Sequence, residues 1–112
     1  MNAAGLQVAE TILAQLGGRV FVAMTGAFDI MGGENTLMLK FKGSKRWNAL
    51  KIELTPEDVY TMTFYHLKRL EGVLAVEKEE SLDDVYADQL QDVFTDWTGL
   101  YTRPRRPPRK RE

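Results

Sequence analysis

The sequence contains no cysteine and only one histidine, His66. Without thiolates the chain can form neither a disulfide framework nor a cysteine-based zinc site, and carboxylates are the only other plausible metal ligands. Phosphate-binding loops, Gly-rich dinucleotide turns, HExxH motifs and nucleophile elbows are also missing. We therefore expect no metal, no cofactor and no enzymatic activity.

Long apolar runs are missing as well. No stretch approaches the about 20 apolar residues that span a membrane. The N-terminal residues lack the basic region and apolar segment of a secretory signal. We therefore expect a protein of the cell cytoplasm that does not enter a membrane. The 112 residues, of which 44% are hydrophobic and 28% charged, suit one globular domain.

Charge is distributed unevenly along the chain. Residues 1–102 hold 9 Lys or Arg against 15 Asp or Glu, whereas residues 103–112 hold 6 against 1. Prolines at 104, 107 and 108 and the clustered charge disfavour helix and strand in this last segment. The sequence predicts a single domain over residues 1–102 and a disordered, basic, Pro-rich tail over residues 103–112.

The longest helical pattern covers residues 81–101. Its apolar residues recur at steps of three and four and share one side of a helix: Leu82, Val85, Tyr86, Leu90, Val93, Phe94 and Trp97. Ser81 with Asp84 is a capping-box variant, and Gly99 suits the C-terminal cap. We predict one long C-terminal helix that is buried on this side.

A first helix is predicted from Leu6 to Leu16 and ends at Gly17-Gly18. Residues 19–31 are rich in β-branched and aromatic residues and are interrupted at Thr25-Gly26. This segment favours either a buried strand with a bulge or two short strands joined by a turn.

Alternation of apolar and polar residues predicts strands at TLMLKFK, NALKIEL and VYTMTFYHLKRL. A further short strand is predicted at residues 73–76. Short turns between consecutive strands make an antiparallel sheet. The predicted fold is thus α+β, with a sheet of four to five strands flanked by an N-terminal helix and a long C-terminal helix in two layers.

Three segments resemble a group of small proteins encoded by tailed bacteriophages and prophages: ILAQLGGRVFVAMTGA, LKIELTPEDVYTMTFY and VYADQLQDVFTDWTGLYT. The resemblance covers roughly residues 8–102. Its most specific piece runs from Tyr86 to Gln91, followed by Phe94 and residues 98–101. The resemblance implies a phage or prophage accessory protein and no established catalytic residues.

Five acidic residues are spaced by four: Glu80, Asp84, Asp88, Asp92 and Asp96. On one helix they would form a slow spiral opposite the apolar side. Such a surface imitates a phosphate backbone or binds a basic partner, and it is also typical of a solvated face that keeps a protein soluble. Our first functional hypothesis is an accessory protein that inhibits or adapts a host or phage protein through this acidic helix surface.

Basic residues at one hairpin tip and in the tail support an alternative. Lys42, Lys45 and Arg46 precede Trp47, an aromatic that suits stacking on a base but also packing on the sheet. With Arg103, Arg105 and Arg106 they would bind nucleic acid during phage replication or recombination. The acidic body favours the first hypothesis. A last option is an uncharged open sheet face that carries Met38, Tyr60 or Tyr65, and the sequence leaves the oligomeric state open.

Overall fold

Residues 3–104 are described by the computed structural model, which has three α-helices and five strands within that range. The helices are α1 (Ala3–Leu16), α2 (Gly18–Thr25) and α3 (Leu90–Thr98), and a 3-10 turn at Ala87–Gln89 precedes α3. The strands are β1 (Phe28–Gly33), β2 (Thr36–Lys40), β3 (Ala49–Leu54), β4 (Tyr60–Leu70) and β5 (Val73–Val85). All five form one antiparallel sheet in the order β1-β2-β3-β4-β5, which confirms the α+β prediction.

The predicted alternation of β2, β3 and β4 is confirmed. Leu39 pairs with Leu50 and Leu50 with Phe64, so these three side chains lie side by side on one face. All three are buried. We call this the inner face of the sheet and the opposite side the outer face.

The helices cover the inner face. α1 packs against β1 and β2 and also contacts α3. Ile12 and Leu16 of α1, Phe21 of α2 and Phe94 of α3 are completely buried in the same core as the inner-face residues. The domain therefore has two layers, as the sequence predicted.

Residues 18–25 form α2, so the strand predicted at Arg19 is wrong. Burial at Phe21 and Thr25 follows a helical step of four, and the Thr25 hydroxyl donates to the Phe21 carbonyl at 2.8 Å. Gly26 ends the helix with φ 70°, and its N–H donates to the Val22 carbonyl. Packing of Phe21 on Phe94, with ring centroids 5.2 Å apart, outweighs the strand propensity of the local sequence.

Residues 81–85 belong to β5, so the C-terminal helix is shorter than predicted. β5 runs from Val73 to Val85, well beyond the short strand expected at residues 73–76. Its register is irregular: Leu82 pairs with Met62 and Val85 with Tyr60, while Asp84 has φ 59°. This irregularity brings two residues three apart to the core side, which imitates the helical period.

The helical segment begins only at Ala87. There the Tyr86 N–H donates to Gln89 Oε1 at 2.9 Å, so the cap predicted from Ser81 and Asp84 is wrong. Leu90 and Phe94 are fully buried, which confirms the apolar side of the helix over this part. Gly99 has φ 79° and its N–H donates to the Thr95 carbonyl, as predicted for the C-terminal cap.

The C-terminal segment turns back onto the α1–α2 junction. Thr102 is buried, and a Cβ placed on Gly17 would lie 3.2 Å from the Thr102 carbonyl oxygen. Gly17 also has φ 127°, so this junction needs glycine for two reasons. Of the predicted tail only Arg103 and Pro104 lie in the described range, and residues 105–112 lie outside it.

Candidate binding surfaces

The most highly charged surface lies on residues 77–96, which we call the acidic segment. It carries eight carboxylates and one basic residue, Lys78, and all eight carboxylate residues are exposed. They are Glu77, Glu79, Glu80, Asp83, Asp84, Asp88, Asp92 and Asp96. The segment therefore has a net charge of −7, whereas the rest of residues 1–102 holds 8 basic against 7 acidic residues.

The five predicted site residues do not form one helical spiral. Glu80 and Asp84 lie on β5, Asp88 lies in the 3-10 turn, and Asp92 and Asp96 lie on α3. The prediction of a single acidic helix surface is wrong. Leu82 and Val85 are spaced as on a helix, but they belong to β5, where an irregular register places residues three apart on the same face. Only the last three acids share a helical stretch.

The acids of β5 have a structural explanation. β5 is the last strand of the sheet, and within residues 3–104 it pairs only with β4. Lys78 and Glu80 of β5 lie at inner-face positions, where they pair with His66 and Phe64 of β4. Charged side chains of this kind oppose the addition of a further strand at a sheet edge. Asp88, Asp92 and Asp96 lie outside the strand, so edge protection does not account for them.

Most of the acidic segment is free of internal ion pairs. Glu77 pairs with His66 Nε2 at 3.4 Å and with Lys68 Nζ at 3.8 Å, and Asp83 accepts a hydrogen bond from the Thr61 hydroxyl. Within residues 3–104 six other carboxylates have no ion pair or side-chain hydrogen bond: Glu79, Glu80, Asp84, Asp88, Asp92 and Asp96. No basic side chain of residues 3–104 neutralises these groups.

Asp92 and Asp96 line an open groove of about 640 Å³ between α3 and the C-terminal segment. Tyr101, Thr102 and Arg103 form its other wall. The Arg103 guanidinium donates to Gln91 Oε1 and so holds this wall against α3. Two carboxylates one helical turn apart beside a wide groove suit a guanidinium or ammonium group.

The basic hairpin tip is present, but its aromatic residue is not available. Lys42, Lys45 and Arg46 are exposed in the loop between β2 and β3, whereas Trp47 is 1% exposed. The Trp47 ring lies 6.0 Å from both Phe64 and Trp97, and the Arg46 guanidinium lies 5.7 Å from its centroid. Of the two alternatives that the sequence left open for Trp47, the structure shows packing on the sheet, and burial of the ring in the core excludes base stacking.

The basic loop lies against Leu100, three residues before Arg103. A Cβ placed on Gly43 would lie 3.2 Å from Leu100 Cδ2. The loop at residues 42–46 therefore contacts the chain shortly before Arg103, which is exposed. Arg105 and Arg106 were also predicted to bind nucleic acid and lie outside the described residues.

Of the open-face candidates, Met38 and Tyr65 lie on the outer face but Tyr60 does not. Tyr60 is 5% exposed on the inner face, and its hydroxyl donates to Gln15 Oε1 at 2.8 Å. Burial raises the pKa of Tyr60 above its usual 10.0. Tyr60 thus ties β4 to α1 and is not a surface residue.

In the part of the chain from residue 3 to residue 104, no three His, Cys, Asp or Glu side chains are grouped closely enough to hold a metal ion. The helices of the same part are also too short or too polar to cross a membrane. No protein-family model, curated protein or solved structure matches the chain.

Proposed function

We propose that this protein acts by binding a basic protein partner through the acidic segment, with Asp88, Asp92 and Asp96 as the central contacts. The observation that supports the proposal is that these three carboxylates are exposed and have no ion pair within residues 3–104. In this proposal it is an accessory protein of a phage or prophage. It inhibits or adapts a host or phage protein in the host cytoplasm, without chemistry of its own.

The position of Asp96 disfavours a role in stability. Like charges four residues apart on a helix cost about 0.2–0.5 kcal/mol for each pair. Asp88 and Asp92 lie in the first turn of the 3-10 turn and of α3, where the helix dipole offsets part of that cost. Asp96 lies in the last turn of α3, where the dipole disfavours a negative charge, so this acid is better explained by a partner that neutralises it than by a contribution to stability.

Reversing two charges should abolish partner capture without unfolding the protein. In Asp88→Lys with Asp92→Lys, the positive charges would repel a basic partner. The free energy of unfolding should change by less than about 1 kcal/mol, because relief of the like-charge pairs is opposed by placing lysines in a first helical turn. The measurement is affinity purification of the tagged full chain from the host, followed by quantitative mass spectrometry.

The matched control is Glu10→Lys with Glu57→Lys, which makes the same charge change at two exposed acids outside the acidic segment. It should retain the partner that the first variant loses. Equal loss from both variants would attribute capture to net charge and contradict a defined site.

A second candidate function is nucleic-acid binding, which the contact between the basic loop and residue 100 favours. Gly43, in the loop that carries Lys42, Lys45 and Arg46, lies against Leu100, three residues before the basic run of 103–112 begins in the sequence. Together these residues would bind phosphates by releasing counterions, with no role for Trp47.

Lys45→Ala with Arg46→Ala separates this function from the first. If the loop holds phosphates, filter binding of a single-stranded oligonucleotide should weaken, and its log–log salt slope should fall by about 0.7 for each phosphate that the variant no longer binds. Lys68→Ala with Arg69→Ala removes two exposed charges from the β4–β5 hairpin and serves as the control. Identical binding by the two variants and the wild type would exclude the loop.

A further inference from the structure

The outer face of the sheet changes character along its strands. On β3 the outward residues run from Glu53 and Lys51 to Ala49, and on β4 they run from Thr63 to Tyr65 and Leu67. In the polar half, the hydroxyls of Thr63 on β4 and Ser81 on β5 are joined by a hydrogen bond of 2.9 Å. The outer face is therefore polar at one end of these strands and apolar at the other.

We call the other half the outer apolar patch. It takes residues from all five strands: Phe28, Met31, Met38, Ala49, Tyr65, Leu67, Leu74 and Val76. Met31 pairs with Met38, and Leu67 pairs with Val76. Met31 is 56% exposed and Val76 54%. A contiguous exposed apolar patch of this kind marks an interaction surface.

The patch is grooved rather than flat. Ala49 is buried at its floor, and the side chains of Met31 and Met38 on one side and Leu67 and Val76 on the other line a groove of about 240 Å³. This is smaller than the about 300–1,000 Å³ typical of small-molecule sites. The volume suits a few side chains inserted from another protein surface.

We propose that the outer apolar patch binds the same patch of a second copy of this chain, so that two sheets pack face to face in a twofold dimer. This goes beyond the proposed function, because it uses the face of the sheet rather than the acidic segment. Ridges of Met31 with Met38 and of Leu67 with Val76 flank the groove, so each copy offers both a ridge and a groove. Flexible methionine side chains adapt to such a fit.

The size of the face suits a weak dimer. Five strands spaced about 4.8 Å apart, with about three outward residues on each, give a face of about 20 by 20 Å, or about 400 Å². This is below the about 800 Å² that each partner buries in a standard specific interface, so the expected dimer belongs to the small, weakly associating class. Facing sheets then lie about 10 Å apart.

The charges around the patch favour a second copy over a partner of one charge sign. Lys40 pairs with Asp29 at 3.2 Å within the patch, and Arg69 and Glu79 lie on its rim. A surface with both signs can match its own copy after a twofold rotation. The acidic edge of β5, by contrast, would repel the same edge of a second copy. Contact between two copies is therefore expected at the outer apolar patch.

Sedimentation equilibrium of the full chain between about 1 and about 200 μM, a range that covers a micromolar Kd, tests the proposal. We expect a dimer, and Met31→Lys with Val76→Lys should weaken it at least about 100-fold because four lysines would enter one apolar interface. Val20→Lys with Met24→Lys changes two exposed apolar residues of α2 and should leave the dimer intact. Circular dichroism verifies that each variant is folded.

A chain that stays monomeric throughout this range, or a dimer that survives Met31→Lys with Val76→Lys, would overturn the proposal.

Discussion

Phe94→Ala should lower the free energy of unfolding by about 3–5 kcal/mol, the usual cost of removing a buried phenyl group. Phe94 is completely buried on α3, and its ring centroid lies 5.2 Å from that of Phe21 and 5.1 Å from that of Phe41. It thus joins α3, α2 and the end of β2 at one point. Urea unfolding followed by circular dichroism measures the loss.

An exposed residue provides the comparison for Phe94. Val20→Ala lies on α2, where Val20 is 45% exposed, and should change the unfolding free energy by less than about 0.5 kcal/mol. If Phe94→Ala cost no more than Val20→Ala, α3 would not pack on the inner face of the sheet.

Trp47→Ala should cost a similar amount, about 3–5 kcal/mol, although Trp47 lies beside a basic loop. The ring is buried against Phe64 and Trp97, and the ammonium group of Lys78 lies 5.3 Å from its centroid. The loss should appear in urea unfolding followed by circular dichroism, since removing the indole changes the fluorescence by itself.

Lys45→Ala separates the core role of Trp47 from a binding role. Lys45 is exposed in the same loop, and its replacement should change stability by less than about 0.5 kcal/mol. A Trp47→Ala protein of wild-type stability that had lost affinity for single-stranded DNA would restore the base-stacking hypothesis and contradict burial of the ring in the core.

The middle of the fold was predictable because one face of the sheet is buried and much of the other is in water. That arrangement requires alternation, and Leu37, Leu39, Leu50 and Ile52 provide it. The turn at Glu71-Gly72, between the strands predicted at VYTMTFYHLKRL and at residues 73–76, has a local cause too. Both residues have positive φ, 51° and 82°, which a two-residue hairpin requires.

Two segments were not predictable, because their structure depends on contacts distant in sequence. Residues 19–25 have β-branched and aromatic side chains, yet Phe21 packs on Phe94 and the segment is helical. Residues 81–85 have helix-like spacing, yet they pair with β4. In each case tertiary pairing outweighs a local preference of a few tenths of a kcal/mol per residue.

The sequence showed which charged residues are candidates, but it did not show which of them lie on a common surface. Spacing by four placed Glu80 and Asp96 on one helix, whereas the register of β5 separates them. The outer apolar patch was indicated only through Met38 and Tyr65. Its other members come from four strands, and only strand pairings such as those of Leu67 with Val76 and of Met31 with Met38 show that they are neighbours.

The most direct test of a functional acidic segment is quantitative capture of its partner by Asp88→Asn with Asp92→Asn. These substitutions remove charge while keeping nearly the same size. If the carboxylates bind a basic protein, retention should fall at least about tenfold, which corresponds to about 1.4 kcal/mol, and should depend less steeply on salt than for the wild type. Retention and salt dependence equal to those of the wild type would contradict the proposed function.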